Sequence, residues 1–386
     1  MEPTGAEQRI RQLDLVRGLA LFGILVANLR GYAAPAAVYY HPEWFWSSSS
    51  DRWVQFAVET LVTSKFLTLF ALLFGIGFGI LSDRLTARAA DAPLILLRRM
   101  LVLTAFGAAH AFLLWWGDIL LPYGIAGLLF VWLGRFETDR ILFWALLLYW
   151  FPVFVVGGLN LLGAPAAAPA FSPAEFEPVV ATYREGQFWP VAVLRAREWM
   201  EFNSNWPLSL PRILGLFLFG LYLWRRGWVQ QVLQQRDMTR RYLAAGLAAG
   251  LALNLAASTL RCWVGVDPTS VGAAAFLFWL ISSTGVPLLS LGYAMAAVAC
   301  CDSGRLRGLC VATAATGRMA LTNYLLQSVV GTAICYGWGL RLYGQLGLLQ
   351  LVLLAPAIYG IQMLASLWWF RWFRFGPLEW LWRVVT

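Results

Sequence analysis

Two polar side chains interrupt the apolar stretch RRMLVLTAFGAAHAFLLWWGDILLPYGIAGLLFVWLG, which runs from Arg98 to Gly134: His110 and Asp118. Histidine is the side chain whose proton affinity suits catalysis near neutral pH, so His110 reads as a general base or a transient acyl carrier. The alternative is a buried neutral imidazole hydrogen-bonded to a neighbouring helix. Asp118 either caps the helix that begins after it, where unpaired N–H groups favour a carboxylate, or works beside His110 by polarising the imidazole or holding an acceptor hydroxyl. The other histidine, His41 in the segment His41-Pro42-Glu43-Trp44, is a second catalytic candidate. With two histidines and no close Cys/His/carboxylate spacing, no metal site is expected.

The elements that must position these groups are transmembrane helices. Of the 386 residues 60% are hydrophobic and only 13% charged, against roughly a quarter charged in soluble domains. Mean hydropathy is +0.65. The apolar runs predict an all-α, polytopic membrane protein of about ten spans in a single domain covering residues 1–386. The first is Leu13 to Leu29; FLTLFALLFGIGFGIL forms the second, with Gly75 and Gly79 placed for close helix approach. The Arg98–Gly134 stretch supplies the third and fourth, Ile141 to Leu162 the fifth and Ile213 to Trp224 the sixth. Leu243 to Leu260, Ala273 to Ala299, ALTNYLLQSVVGTAICYG and Leu346 to Trp369 complete the set. Pro287 should kink or break the eighth. Residues 164–205 form an extracytoplasmic loop with an interfacial helix.

The net charge of +9 does not indicate nucleic acid, because the arginines fall in short clusters between apolar runs, the pattern that sets membrane orientation. Placing those clusters in the cytoplasm puts both termini there, in a multi-pass protein of a bacterial inner membrane. Lys65, the only lysine, starts the second span as an interfacial anchor or a functional group.

Spacing aligns further polar groups. Asp14 and Arg17, three apart, share a helix face. Asn28 lies eleven residues beyond Arg17, three turns or about 16 Å higher on that face. His110 stands in the same relation to Arg99, next to Arg98. Two helices thus carry parallel columns of a cytoplasmic arginine and an outer-half polar group. Asn323 and Gln327, four apart, share a face of the ninth span, suited to interhelical hydrogen bonds or to substrate binding.

LDLVRGLALFGILVANL, KFLTLFALLFGIGFGI, the Arg98 stretch, GRMALTNYLLQS and FRFGPLEWLWR together resemble the YeiB-like family of bacterial multi-pass membrane proteins, over nearly the whole length. The L-D-x-x-R-G start with its following Asn is more distantly similar to the first span of heparan-alpha-glucosaminide N-acetyltransferases, transmembrane enzymes that carry acyl groups from cytosolic acyl-CoA to acceptors across the membrane. That resemblance assigns Asp14, Arg17 and Asn28 to the first-span positions. It also implies a catalytic histidine in the following loop, where this chain has His41.

The expectation is a membrane acyltransferase with acyl-CoA as co-substrate, no tightly bound cofactor, and a lipid or glycan acceptor. Arg17, Arg98, Arg99 and Asp14 would serve the cofactor end; Asn28, His110, Asp118 and His41 would do the chemistry; Lys65, Asn323 and Gln327 would face substrate. Membrane lipids are the expected surroundings, and a homodimer is compatible with the sequence. The alternative is a transporter or lipid flippase in which the same polar column lines a path.

Overall fold

Inside a bilayer no water satisfies backbone polar groups, so each apolar run must close its hydrogen bonds within itself. The computed structural model, which describes residues 11–161, 176–204, 206–268, 270, 272–304 and 306–386, does this with sixteen α-helices. In order they are α1 (Arg11–Ala33), α2 (Ser49–Leu61), α3 (Lys65–Ala87), α4 (Ala92–Leu113), α5 (Leu120–Leu133), α6 (Thr138–Leu161), α7 (Phe176–Glu185) and α8 (Phe188–Phe202). Then come α9 (Trp206–Arg225), α10 (Trp228–Gln234), α11 (Arg236–Cys262), α12 (Ala273–Ser303), α13 (Arg307–Arg318), α14 (Ala320–Cys335), α15 (Leu348–Trp369) and α16 (Pro377–Val385).

Eight helical stretches among the described residues are long and apolar enough to cross a membrane: α1, the α2–α3 pair, α4, α6, α9, α11, α12 and α15. Two predicted spans are shorter. α5 has 14 residues and α14 has 16, which at 1.5 Å per residue is about 21 and 24 Å, less than a hydrocarbon core of roughly 30 Å. The expected loop at 164–205 carries α7 and α8, while residues 162–175 and 205 lie outside the described set.

Of the kink or break expected at Pro287 in the eighth span, the break does not occur. α12 runs for 31 residues through Pro287, because the carbonyl that the proline leaves without its intrahelical donor, that of Ser283, accepts a 2.7 Å hydrogen bond from the Tyr149 hydroxyl of α6. The discontinuity lies one span later. Met319 leaves the helical region (φ −109, ψ 39) and separates α13 from α14.

α1 is the most enclosed span, packed by α3, α13, α14 and α15. Its glycines permit this. A Cβ on Gly18 would lie 2.1 Å from the Thr313 carbonyl oxygen, and one on Gly317 would lie 1.9 Å from that of Asp14, so the α1 and α13 backbones touch. Gly75 likewise admits the Phe217 carbonyl of α9 and Gly79 its Trp224 ring.

Candidate active site

The α4–α5 hairpin is closed by two glycines. A Cβ on Gly107 would come within 2.1 Å of the Leu121 nitrogen, and one on Gly124 within 2.4 Å of Thr104 Oγ1. Gly107 is three residues before His110 and Leu121 three after Asp118, so this close approach sets the two polar groups opposite each other. His110 Nδ1 lies 2.6 Å from Asp118 Oδ1, with both side chains fully withheld from solvent. The second carboxylate oxygen accepts from the Leu121 N–H at 2.6 Å, at the start of α5. Asp118 therefore both caps the start of α5 and hydrogen-bonds His110.

The other face of the imidazole meets a residue that sequence spacing did not single out. His110 Nε2 is 2.8 Å from Ser328 Oγ of α14, and that oxygen is 2.9 Å from the Tyr32 hydroxyl of α1. A carboxylate can only accept, so Nδ1 donates to Asp118, and the neutral ring presents the Nε2 lone pair to the Ser328 O–H. Tyr32 then donates to Ser328. The result is a buried Asp118–His110–Ser328–Tyr32 chain that joins three helices and the α4–α5 connection. Tyr32 is packed on Trp115, whose indole N–H reaches the Gly31 carbonyl at 3.0 Å.

Asn28 is one turn before Tyr32. It is 6% exposed, and its Nδ2 has no hydrogen-bond partner, although a buried amide normally finds one. The two predicted columns thus do not meet through Asn28 and His110. They are joined through Tyr32 and Ser328, because α14 supplies the shared contact.

A cavity of about 370 Å³ leads toward this chain. Seven arginines line it (Arg17, Arg84, Arg88, Arg99, Arg318, Arg374 and Arg383) against two carboxylates, Asp14 and Glu379. Arg17 and Arg99 belong to the first half of α1 and α4, and Arg84 to the last turn of α3, so the charge is gathered at one end. From there the walls become apolar (Leu21, Ile24, Phe74, Met100, Leu103), and the inner end is made by Ile119, Leu120, Tyr123 and Tyr324. From Arg99 to the end of α4 is about 20 Å of helix. Tyr324 forms the partition: its ring centroid is 5.2 Å from that of His110, and its hydroxyl accepts from the Ile119 N–H.

Glu379 of α16 organises the charged end. One oxygen accepts from the Leu321 and Thr322 N–H groups at 2.7 and 3.1 Å, and the other from the Thr322 hydroxyl at 2.6 Å. It satisfies the orphan donors that the Met319 break creates at the start of α14. Burial pushes this carboxyl above its ordinary range, and the hydrogen bonds from Thr322, Leu321 and its own backbone N–H work against that shift. Trp382, three residues on, stacks under the Arg99 guanidinium at 4.2 Å and donates to the Arg99 carbonyl.

The remaining predicted residues are distributed as follows. Asp14 pairs with Arg17 at 3.2 Å, as the spacing implied. Arg98 is exposed and does not line the cavity, because a step of about 100° around α4 carries it outward. His41 lies away from His110, stacked on Trp44 at 4.0 Å and 3.2 Å from Glu43.

Lys65 donates to the Glu59 carbonyl in the last turn of α2, within a buried cluster in which Arg30 and Arg261 pair with the Glu59 carboxylate at 3.1 and 3.3 Å. That cluster sets three cationic side chains around one carboxylate and lines no part of the cavity. Asn323 donates to Thr316 and Ser366, and Gln327 to Gln362 and the Leu21 carbonyl. These bonds tie α14 to α13, α15 and α1, and neither residue reaches the cavity. Ser328 follows Gln327 directly, about 100° further round the helix; a serine in an apolar span has no ionisable signal to mark it.

Residues 223–386 match the family described as Protein of unknown function (DUF418). The Bacillus subtilis (strain 168) protein named Uncharacterized protein YxaH is 28% identical over 100% of this chain and 96% of its own length. The Escherichia coli (strain K12) protein named Uncharacterized protein YeiB is 31% identical over 97% of this chain and 95% of its own. A Bacillus acidopullulyticus protein, the Uncharacterized 39.9 kDa protein in amylase 3'region, is 26% identical over 100% and 96%. Identity at this level sustained from end to end, with the family's own motif region in the carboxy-terminal half, places the chain in the YeiB-like, DUF418 family of membrane proteins.

Proposed function

We propose that this protein is an acyltransferase of a bacterial inner membrane that moves an acyl group from cytosolic acyl-CoA to a lipid or glycan acceptor of the envelope. The observation that carries this reading is the course of one cavity, from seven arginines to the wall beside a buried His110–Asp118 pair. With the arginine-rich end in the cytoplasm, the CoA phosphates sit among Arg17, Arg84 and Arg99. The apolar middle takes the extended pantetheine arm. A volume of about 370 Å³ falls in the range of small-molecule sites, roughly 300–1,000 Å³. The thioester then lies at the Tyr324–Ile119 wall.

His110 serves as the base. Asp118 fixes its tautomer by accepting from Nδ1, and the imidazolium formed on proton transfer is stabilised by the adjacent carboxylate. The transport alternative draws on the break at Met319, since discontinuous helices mark substrate paths in transporters. The cavity lining favours the enzyme: it is charged at one end and takes no described residue from the segments 34–64, 176–204 or 337–347.

The test uses purified protein in lipid nanodiscs. Binding of acetyl-CoA and palmitoyl-CoA is measured calorimetrically, and transfer of radiolabel from each into an envelope lipid and glycan extract is followed. CoA binding together with label transfer that His110→Ala abolishes is the expected result. Absence of CoA binding, or transfer at the wild-type rate in His110→Ala, would sink the reading.

A further inference from the structure

Base catalysis by His110 requires an imidazole nitrogen that faces an acceptor hydroxyl. In this structure Nε2 already faces one, and it belongs to the protein. We infer that Ser328 is the nucleophile that carries the acyl group, so that the reaction proceeds through an acyl-Ser328 intermediate and not by direct transfer to the acceptor. This inference rests on the acyltransferase reading above.

Three observations support it. First, Ser328 Oγ is 2.8 Å from His110 Nε2, while His110 Nδ1 is 2.6 Å from Asp118. This is the nucleophile, base and orienting carboxylate arrangement that activates a hydroxyl otherwise too weakly acidic to attack. Second, Ser328 and its partners are assembled from positions far apart in the chain, with serine and histidine 218 positions apart, and are excluded from solvent, where a serine ester resists adventitious hydrolysis. Third, a donor stands unused beside them. Asn28 Nδ2 is buried without a partner, one turn from Tyr32, whose hydroxyl is 2.9 Å from Ser328 Oγ. On attack, Asn28 N–H, and Tyr32 O–H once released from Ser328 Oγ, would be the donors for the negative charge that develops on the carbonyl oxygen.

The steps balance as follows. Ser328 Oγ attacks the thioester carbonyl carbon as its proton passes to His110 Nε2. The C–S bond breaks, the electron pair leaves on sulfur, and His110 returns the proton to the thiolate, giving free CoA and an ester on Ser328. An acceptor hydroxyl then attacks that ester and gives its proton to Nε2. The C–Oγ bond breaks, and the proton returns to Ser328. Tyr324, one turn before Ser328 on α14, must swing aside to admit the thioester, because its ring forms the end of the cavity.

A two-step mechanism of this kind makes a prediction that needs no knowledge of the acceptor: label exchanges between acetyl-CoA and free CoA in the protein alone. The expected result is exchange by the full-length protein in nanodiscs, with a mass increase of one acyl group on the peptide carrying Ser328. Ser328→Ala should bind acetyl-CoA with an affinity within about twofold of wild type and lose exchange by at least a hundredfold. Ser328→Cys should instead accumulate a hydroxylamine-sensitive thioester. Exchange undiminished in Ser328→Ala, or CoA binding and acceptor transfer by the wild type without exchange, overturns the covalent step and leaves the acyltransferase reading in place. Absence of acetyl-CoA binding by the wild type overturns both.

Discussion

His110 Nδ1 lies 2.6 Å from Asp118 Oδ1 across a hairpin whose two helices come into contact at Gly107 and Gly124. The same carboxylate starts α5 through the Leu121 N–H. Asp118 thus couples helix geometry to tautomer choice, and the two roles separate on substitution. Asp118→Asn keeps an oxygen for the Leu121 N–H but loses the charge that stabilises an imidazolium. Turnover should fall by about 10²–10⁴-fold while the melting temperature changes by only a few degrees, measured by acyl transfer and by thermal unfolding in detergent.

The hairpin itself is the tightest constraint on the site. A side chain on Gly107 has no space beside the Leu121 nitrogen, which is backbone and cannot yield. Gly107→Val should cost on the order of 3 kcal/mol and separate His110 from Asp118. The check is a fall in folded yield by size-exclusion chromatography, with Ala108→Val, on the next position of the helix, as the tolerated control.

Adjacent arginines should differ. Arg99 lines the cavity and stacks on Trp382, whereas Arg98 is exposed. Arg99→Ala should weaken CoA binding about tenfold, as expected for loss of one charge-assisted phosphate contact in a partly buried site. Arg98→Ala should stay within twofold. Isothermal titration at two salt concentrations tests both, since a phosphate contact weakens as ionic strength rises.

Tyr324 stands between the cavity and His110. Tyr324→Ala opens the inner wall and should raise the accessibility of a cysteine placed at position 328 to thiol reagents by at least tenfold. Tyr324→Trp should lower it. Equal labelling rates in the two variants would show that the ring is no barrier.

Glu198 of α8 gives the molecule a pH dependence outside the spans. Burial pushes its carboxyl up to about 7, against hydrogen bonds from Tyr183 and the Ala36 N–H that favour the ionised form. The folded protein therefore holds this proton more tightly than the unfolded chain. The resulting stabilisation is complete below about pH 4.5 and is lost as pH rises through about 7. Glu198→Gln should flatten the fall in melting temperature between pH 5 and 8, a term on the order of 3 kcal/mol at most.

What the sequence disclosed follows from what each kind of signal encodes. Helical spans are written in apolar runs of membrane length, and the runs at α1, α3, α4, α6, α11, α12 and α15 match the helices to within several residues. Local pairs are also written in spacing: Asp14 with Arg17, and Gly75 and Gly79 with the helix they admit. Helix adjacency is not. That α14 would deliver Ser328 to both His110 and Tyr32 depends on packing between segments hundreds of residues apart, and a serine in an apolar helix satisfies itself so easily that its presence marks nothing. The break at Met319 was hidden for a related reason: no proline announces it. The proline that does appear, Pro287, is absorbed by a hydroxyl from another helix.

The Glu379 cap has a consequence for biosynthesis. Glu379 lies 57 residues downstream of Thr322, so α14 enters the membrane with its first N–H groups unanswered and acquires their partner only after α15 has been inserted and α16 synthesised. Ser328 sits on that helix, and the cavity takes part of its wall from Glu379, Trp382 and Arg383. A nascent chain therefore passes through the insertion machinery with its reactive groups present but its site incomplete. The cavity wall is thus closed by the last helix to be made.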